Sequence, residues 1–375
     1  SAVKLRNLQI VETYSLCLDI IKMDKKNVVV LGAGVIGLTV ATLLLKQEKG
    51  INVHIIANIF PNDPEASSYK YTSTVAGAHW RSHSDTDPRQ QEFEESTYNY
   101  FWELANKNMS NVTGVMIIDE FNYWEKSDNF VDPWYSRVCH EYRRLEKNEL
   151  PDGVELGIKY KSLSINPLTY LNYLLSSFIF LGGTTEHAEI KHLDECVRED
   201  TDILINCSGY NARILKGVED SKVYPVRGQS IVMKLSQSCL NWACFRHGYF
   251  GDTGVETYII PRENGEVIIG GTREENNSST DIEHDTASKI IQRCFTTRPD
   301  LLPDDTKIEL TLKGHRVGLR PYRRGGVRVE AEWKECENFN NKKILVCHNY
   351  GHGGVGYQSS YGTAQLAIDL IKKKI

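Results

Sequence analysis

Apolar positions first become continuous just after Asn27. Val28-Val29-Val30-Leu31 is an uninterrupted run, the pattern of a parallel strand buried on both faces. Gly32-Ala33-Gly34-Val35-Ile36-Gly37 follows without a spacer, and Leu38 to Lys46 carries helix-forming, apolar-rich spacing. Gly50 supplies a stop, after which Val53-His54-Ile55-Ile56-Ala57 reads as the next strand. This makes a βαβ unit of about 30 residues. Asp202-Ile203-Leu204-Ile205-Asn206-Cys207 predicts a further buried strand, ending at Ser208-Gly209. From Val223 to Gly271 the pattern alternates, as in Val226–Met233 and Thr257–Pro261, with a turn signal at Glu263-Asn264-Gly265. That alternation predicts an antiparallel sheet. A helix is expected around Thr286–Thr297, ahead of a glycine-rich C-terminal segment.

The two kinds of pattern interleave, so the sequence predicts an α/β protein of two domains, each assembled from discontinuous segments. A dinucleotide-binding domain is expected from 24–75, 151–222 and 305–375. A second domain with a mixed or antiparallel sheet is expected from 76–150 and 223–304. The first of these two stretches is rich in aromatics, among them Trp80, Tyr98, Trp102 and Trp134. Residues 1–23 read as an N-terminal extension without the cleavage-site pattern of a secretory signal.

Composition narrows the class. The 375 residues carry 44 Lys+Arg against 49 Asp+Glu, a net charge of −5, which does not suit a nucleic-acid polyanion. No apolar stretch approaches the roughly 20 residues that span a bilayer, so neither nucleic acid nor membrane is an expected partner. Nine cysteines are present, none paired as CxxC, so no zinc or thioredoxin-like site is signalled and no metal is expected. Reduced, mostly buried thiols in an intracellular protein are the expectation; pairing of Cys239 with Cys244 stays open.

The Gly32-x-Gly34-x-x-Gly37 turn carries specific chemistry. Gly32 permits the tight turn, Gly34 lets backbone approach a pyrophosphate, and Gly37 lets the helix pack against the strand. Ala33, Val35 and Ile36 complete the loop, with the positive end of the helix facing the phosphates. The usual ribose-binding acid is replaced by Asn58, which still hydrogen-bonds a hydroxyl but weakens a nicotinamide reading without choosing a flavin. A nicotinamide-dependent dehydrogenase and a non-catalytic dinucleotide-binding module remain open at this point.

Six further segments, in order, bear a resemblance. Beside Val28–Gly37 they are Thr72-Ser73-Thr74-Val75-Ala76-Gly77-Ala78-His79-Trp80, Tyr224–Gln229, Tyr258–Pro261, Gly270-Gly271-Thr272, Val317–Pro321 and Asn349–Gly354. From roughly Asn27 to Ile371 the chain resembles the D-amino-acid oxidase family in its fungal form, which includes the D-aspartate oxidases. The resemblance implies a FAD-binding domain of the glutathione-reductase type beside a mixed-sheet substrate domain. It implies hydride transfer from the substrate Cα–H to flavin N5, reoxidation by O2 to give hydrogen peroxide, and hydrolysis of the imino acid to a 2-oxo acid and ammonia. For FAD it implies hydroxyls from Thr72 and Ser73 near the phosphates and backbone at Gly77 and Ala78 beside the ring. Contacts near the adenine would come from Ile190, Ser208 and Gly209, and Gly353, Gly354, Val355, Gly356, Tyr357 and Gln358 would lie over the pyrimidine edge.

For substrate, the resemblance implies Arg320 and Tyr258 on the α-carboxylate. Arg273 and His83 would meet a side-chain carboxylate, which favours D-aspartate and other acidic D-amino acids over a broad or neutral substrate range. Arg246 is a third candidate for that carboxylate, and the role of His79 is open. Peroxide chemistry favours a peroxisome, yet Lys373-Lys374-Ile375 is not a Ser-Lys-Leu address, so peroxisome and cytoplasm both stand. Homo-oligomerisation is left open.

Overall fold

The anticipated Val28–Leu31 run lies within strand β1 (Lys26–Leu31), followed by helix α1 (Val35–Gln47) and β2 (Ile51–Ala57). The computed structural model describes residues 25–84, 86–235, 240–248, 255–301 and 310–375. The other strands are β3 (Val115–Trp124), β4 (Arg143–Arg144), β5 (Leu156–Ile165), β6 (Thr184–His187), β7 (Ile203–Asn206), β8 (Val223–Leu235), β9 (Trp242–His247) and β10 (Val255–Pro261). They continue as β11 (Glu266–Thr272), β12 (Glu274–Glu275), β13 (Leu310–Arg323), β14 (Arg328–Cys336) and β15 (Lys342–Tyr350). The helices after α1 are α2 (Thr72–Val75), α3 (Pro88–Ala105), α4 (Ser110–Thr113), α5 (Pro167–Phe180), α6 (His284–Thr297) and α7 (Gly356–Lys372).

The first sheet has six strands in the order β14-β15-β7-β1-β2-β6. β1 is central, parallel to β2 with Val28 opposite Val53, and parallel to β7 with Val30 opposite Ile205. Only β14, at one edge, runs antiparallel. A strand alternates its side chains between faces, and the unbroken apolar runs use both. Val28, Val30, Val53, Ile55 and Ile205 enter one core with Leu38, Ala41 and Leu44 of α1. Val29, Leu31, Ile56, Leu204 and Val346 enter the other. Each fully buried aliphatic side chain contributes roughly 1.5–3 kcal/mol, which is why the run admits no polar residue.

The second sheet has nine strands, β12-β8-β11-β10-β9-β3-β5-β4, with β13 paired to β8. It is mixed: β3 and β9 run parallel, whereas β8, β10, β11 and β13 form antiparallel pairs. Helix α6 covers it by burying Ala287, Ile290 and Cys294 against Ile231, Ile259 and Ile269.

Two segments expected in the dinucleotide-binding domain pair elsewhere. β5 (from 151–222) and β13 (from 305–375) both hydrogen-bond in the second sheet. The partner strand is set by pairing across 32 residues or more, β5 with β3 and β13 with β8, which local pattern does not encode.

The seven described cysteines are buried and free. The expected extension over residues 1–23, and Cys239 with its pairing to Cys244, lie outside the described residues. Among the described residues no helix is long and apolar enough to cross a membrane, and no group of three or more His, Cys, Asp or Glu side chains could hold a metal ion.

Candidate active site

A cavity of about 960 Å³ opens between the C-terminal ends of β1 and β2 and the strands of the second sheet. Its first half is built by the glycine turn. Gly32 has φ +104°, and a Cβ there would fall 2.5 Å from the Cys207 carbonyl oxygen. A Cβ on Gly37 would fall 1.9 Å from the Gly32 carbonyl oxygen, so this glycine sets the contact between helix and turn. Gly32, Ala33, Gly34, Val35 and Ile36 line the cavity, and Gly37 packs behind them. The Val35 amide, at the positive end of α1, donates to Ser73 Oγ at 3.0 Å. Thr72, Ser73, Asn58, Ile190, Ser208 and Gly209 all line this half.

Three buried side-chain polar atoms here have no protein partner among the described residues. They are Ser208 Oγ and both polar atoms of the Asn349 side chain, and both residues line the cavity. Buried polar groups are rarely left unpaired. A long cleft with a helix start at one end and orphaned donors and acceptors along it fits an extended dinucleotide.

The middle of the cavity is walled by backbone. Gly77, Ala78, Gly353, Gly354, Gly356, Tyr357 and Gln358 line it, whereas Val355 does not. The 76–77 backbone is held by Arg262, which donates to the Gly77 oxygen from Nε at 3.0 Å and to the Ala76 oxygen from Nη2 at 3.0 Å. Burial pulls the Arg262 guanidinium down to about 10, still charged at neutral pH. Tyr357 donates its hydroxyl to the Ser73 oxygen at 2.7 Å, tying the start of α7 to the phosphate-side loop.

The far half is built by β8, β10, β11 and β13. Tyr258 and Arg320 both line it. The Gly270-Gly271 pair exists for Tyr258: a Cβ on Gly270 would sit 2.0 Å from Tyr258 Cζ, and one on Gly271 would sit 2.7 Å from its hydroxyl. Gly228 does the same for Arg320, since a Cβ there would lie 2.6 Å from Nη1. Burial raises the Tyr258 phenol to about 12, so it remains a neutral donor. Arg320 donates from Nη1 to the Thr272 oxygen at 2.9 Å and from Nη2 to Glu256 Oε2 at 3.0 Å. Burial pulls the guanidinium down, but Glu256 and Tyr258 outweigh it and hold Arg320 above its ordinary value.

His79, Arg81 and His83 alternate along one extended segment and all line the cavity. His83 is exposed where it lines the cavity. Burial within the fold, then Arg81, His79, Arg273 and Arg320, hold its pKa well below the usual histidine value. His79 instead turns Nε2 toward the buried Glu120 at 3.5 Å. Arg273 does not line the cavity; it stands at its rim with Cζ 4.9 Å over the ring of Tyr322, which does line it. Arg246 is turned away. It pairs with Glu125 at 3.2 Å and donates to the Asp152 oxygen, while its neighbour Phe245 faces the cavity. Successive residues of β9 point to opposite faces, which excludes Arg246 from the site.

Two residues that the sequence reading did not single out belong here. Arg81 is 6% exposed, and its Cζ lies 3.6 Å from the Phe245 ring centroid. Nη2 lies 3.1 Å from His83 Nε2, and Nε has no partner among the described residues. Glu94 feels the Arg81 charge, but burial raises its own carboxyl to about 7, so compensation is incomplete at neutral pH. Glu256 is the second. The polar alternation His79-x-Arg81-x-His83 and the spacing Glu256-x-Tyr258 were the available signals.

Comparisons with known proteins identify the family. The family described as DAO, FAD dependent oxidoreductase, matches residues 27–370. A D-aspartate oxidase from Cryptococcus neoformans var. grubii is 33% identical, covering 93% of this chain and 98% of its own. A D-amino-acid oxidase from Schizosaccharomyces pombe is 32% identical, covering 93% and 97%. Glycine oxidase from Geobacillus kaustophilus superposes with a TM-score of 0.71 at 17% identity, over 94% of this chain and 95% of that one. The glycine turn and orphaned polar wall fit a dinucleotide, the family match makes that dinucleotide FAD, and the chain belongs to the DAO family of FAD-dependent oxidoreductases, alongside the D-amino-acid and D-aspartate oxidases.

Proposed function

We propose that the protein oxidises acidic D-amino acids, D-aspartate foremost. The D-amino acid, O2 and water give the 2-oxo acid, ammonia and hydrogen peroxide. FAD, when bound, supplies the two-electron acceptor for the α-hydrogen. Arg320 and the neutral Tyr258 hydroxyl hold the α-carboxylate, the guanidinium fork fixing its orientation through charge-assisted hydrogen bonds. Because the α-hydrogen leaves with its electron pair, no side chain is required to remove it as a proton, and the protein's task is positioning.

The observation that carries the acidic preference is Arg81, a buried guanidinium in the cavity whose charge no ion pair matches among the described residues. With Arg273 at the rim and His83 beside it, it offers a cationic end for a second carboxylate. Two unit charges about 4 Å apart attract by roughly 4 kcal/mol at an effective dielectric near 20, before desolvation is subtracted. Similarity to a fungal D-aspartate oxidase over almost the whole chain supports the same reading.

The test is peroxide release by the purified flavoprotein with D-aspartate, D-glutamate, D-alanine and their L-forms. The acidic D-forms are expected to exceed D-alanine in kcat/KM by about 100-fold, roughly 2.7 kcal/mol, with the L-forms silent. D-Alanine turned over as well as D-aspartate refutes acidic selectivity and leaves a broad-range oxidase. Silence with every D-amino acid refutes the oxidase reading.

A further inference from the structure

Two acids line the cavity. Glu189 lies beside Ile190 at the dinucleotide end; Glu256 lies at the substrate end and is 14% exposed at its side chain. Strand geometry puts it there. Glu256 and Tyr258 are two apart on β10, so both face the cavity, while Thr257 between them is buried on the other side. Its carboxylate is 3.0 Å from Arg320 Nη2.

A guanidinium has five N–H groups. Arg320 commits one to the Thr272 oxygen and one to Glu256, and the remainder can still take a carboxylate. A bound α-carboxylate would then share one cation with Glu256, placing two negative groups on one positive group within the cavity. Like charges so close are costly unless a second cation joins them. An α-amino acid brings that cation on the atom next to its carboxylate.

We propose that Glu256 receives the substrate's α-ammonium group, so that Arg320 and Glu256 together read the amino-acid zwitterion rather than a carboxylate alone. The proposal rests on the cavity being an amino-acid oxidase site, but not on its preference for acidic side chains. Substrate and site then neutralise one another in pairs: carboxylate on Arg320, ammonium on Glu256. A carboxylic acid without the amino group, of otherwise equal shape, meets the Glu256 charge uncompensated.

The test uses the FAD-loaded protein and the E256Q variant. Binding of succinate, which is aspartate without its amino group, is followed by perturbation of the flavin spectrum. Turnover of D-aspartate and D-alanine is followed by peroxide release. The two ligand classes should move in opposite directions: E256Q binds succinate about tenfold more tightly, yet loses about tenfold or more in kcat/KM for both amino acids, the size expected for one charge-assisted hydrogen bond. If both classes tighten, Glu256 merely competes for Arg320. If both weaken, it merely props Arg320. If neither moves, it is outside the site. Each of these three results overturns the proposal. Should E256Q fail to retain FAD, E256D keeps the charge and is expected to preserve the wild-type preference for amino acid over succinate; loss of that preference overturns the proposal. D-Alanine separates this outcome from the substrate question, because its side chain carries no charge, and a wild-type protein silent with both amino acids condemns the oxidase reading rather than the role of Glu256.

Discussion

Gly228→Ala isolates the geometry of the carboxylate clamp from its chemistry. Gly228 has no positive φ that would strain an alanine, so the backbone tolerates the change. The new methyl group would instead stand 2.6 Å from Arg320 Nη1, 2.8 Å from Cζ and 2.9 Å from Nη2. To regain a contact of 3.4 Å, the lower edge of ordinary packing, the guanidinium must retreat by about 0.8 Å. The obstructing atoms are the far end of a flexible side chain, so the fold yields cheaply and stability should fall by no more than about 1 kcal/mol. Arg320 cannot retreat and keep both its 2.9 Å bond to the Thr272 oxygen and its 3.0 Å bond to Glu256. A misplacement near 1 Å at a positioning group costs on the order of 100-fold in rate. The assay is steady-state peroxide release with D-aspartate, beside FAD content and Tm. The control is Gly314→Ala, where no atom lies within 4 Å of the added carbon and activity should hold. A G228A protein that keeps FAD, melts as wild type and retains more than about a third of its kcat/KM would refute the idea that Gly228 exists to seat Arg320.

Arg81→Met should lower kcat/KM for D-aspartate by about 10- to 100-fold, the loss of one charge-assisted contact, and leave D-alanine within about threefold; Arg273→Tyr should act in the same direction but less, because Arg273 stands at the rim, and equal losses on both substrates would argue against either residue reading the side chain. Tyr258→Phe should cost about tenfold in kcat/KM through the lost hydroxyl donor. Because burial lifts that phenol to about 12, wild-type activity should show no alkaline loss from Tyr258 below about pH 11, and an alkaline limb near 9.5 that vanishes in Tyr258→Phe would contradict this. Burial raises Glu94 from 4.5 to about 7, so the unfolded chain releases this proton first; the stabilisation is complete below about pH 4.5 and is lost as pH rises through about 7. At roughly 1.4 kcal/mol per pH unit, that change amounts to about 3 kcal/mol. Glu94→Gln should therefore melt with a smaller drop in Tm between pH 5 and pH 8 than wild type, and parallel shifts in the two proteins would count against the assignment.

What the sequence by itself determined was local. An unbroken apolar run demands a strand buried on both faces, so Val28–Leu31 could only be central. The glycines between it and α1 announced a turn with no room for a Cβ, and the contacts at Gly32 and Gly37 are of that kind. The resemblance placed Tyr258 and Arg320 together in advance. Which strands pair was decided only in three dimensions: β5 and β13 join the second sheet through partners far away in sequence. The same is true of side-chain facing. Arg246 stood as a third candidate behind Arg273 and His83, yet alternation along β9 sends Arg246 to Glu125, while Arg273 stays at the cavity rim. Arg81 and Glu256 were unremarkable as letters. One became a buried charge because His83 and Phe245 close around it, and the other became the counter-ion of Arg320 because β10 and β13 bring them to the same cavity. Charge in a protein acquires meaning from what surrounds it, since burial and neighbouring ions fix its energy, and those neighbours are assembled only by the tertiary fold.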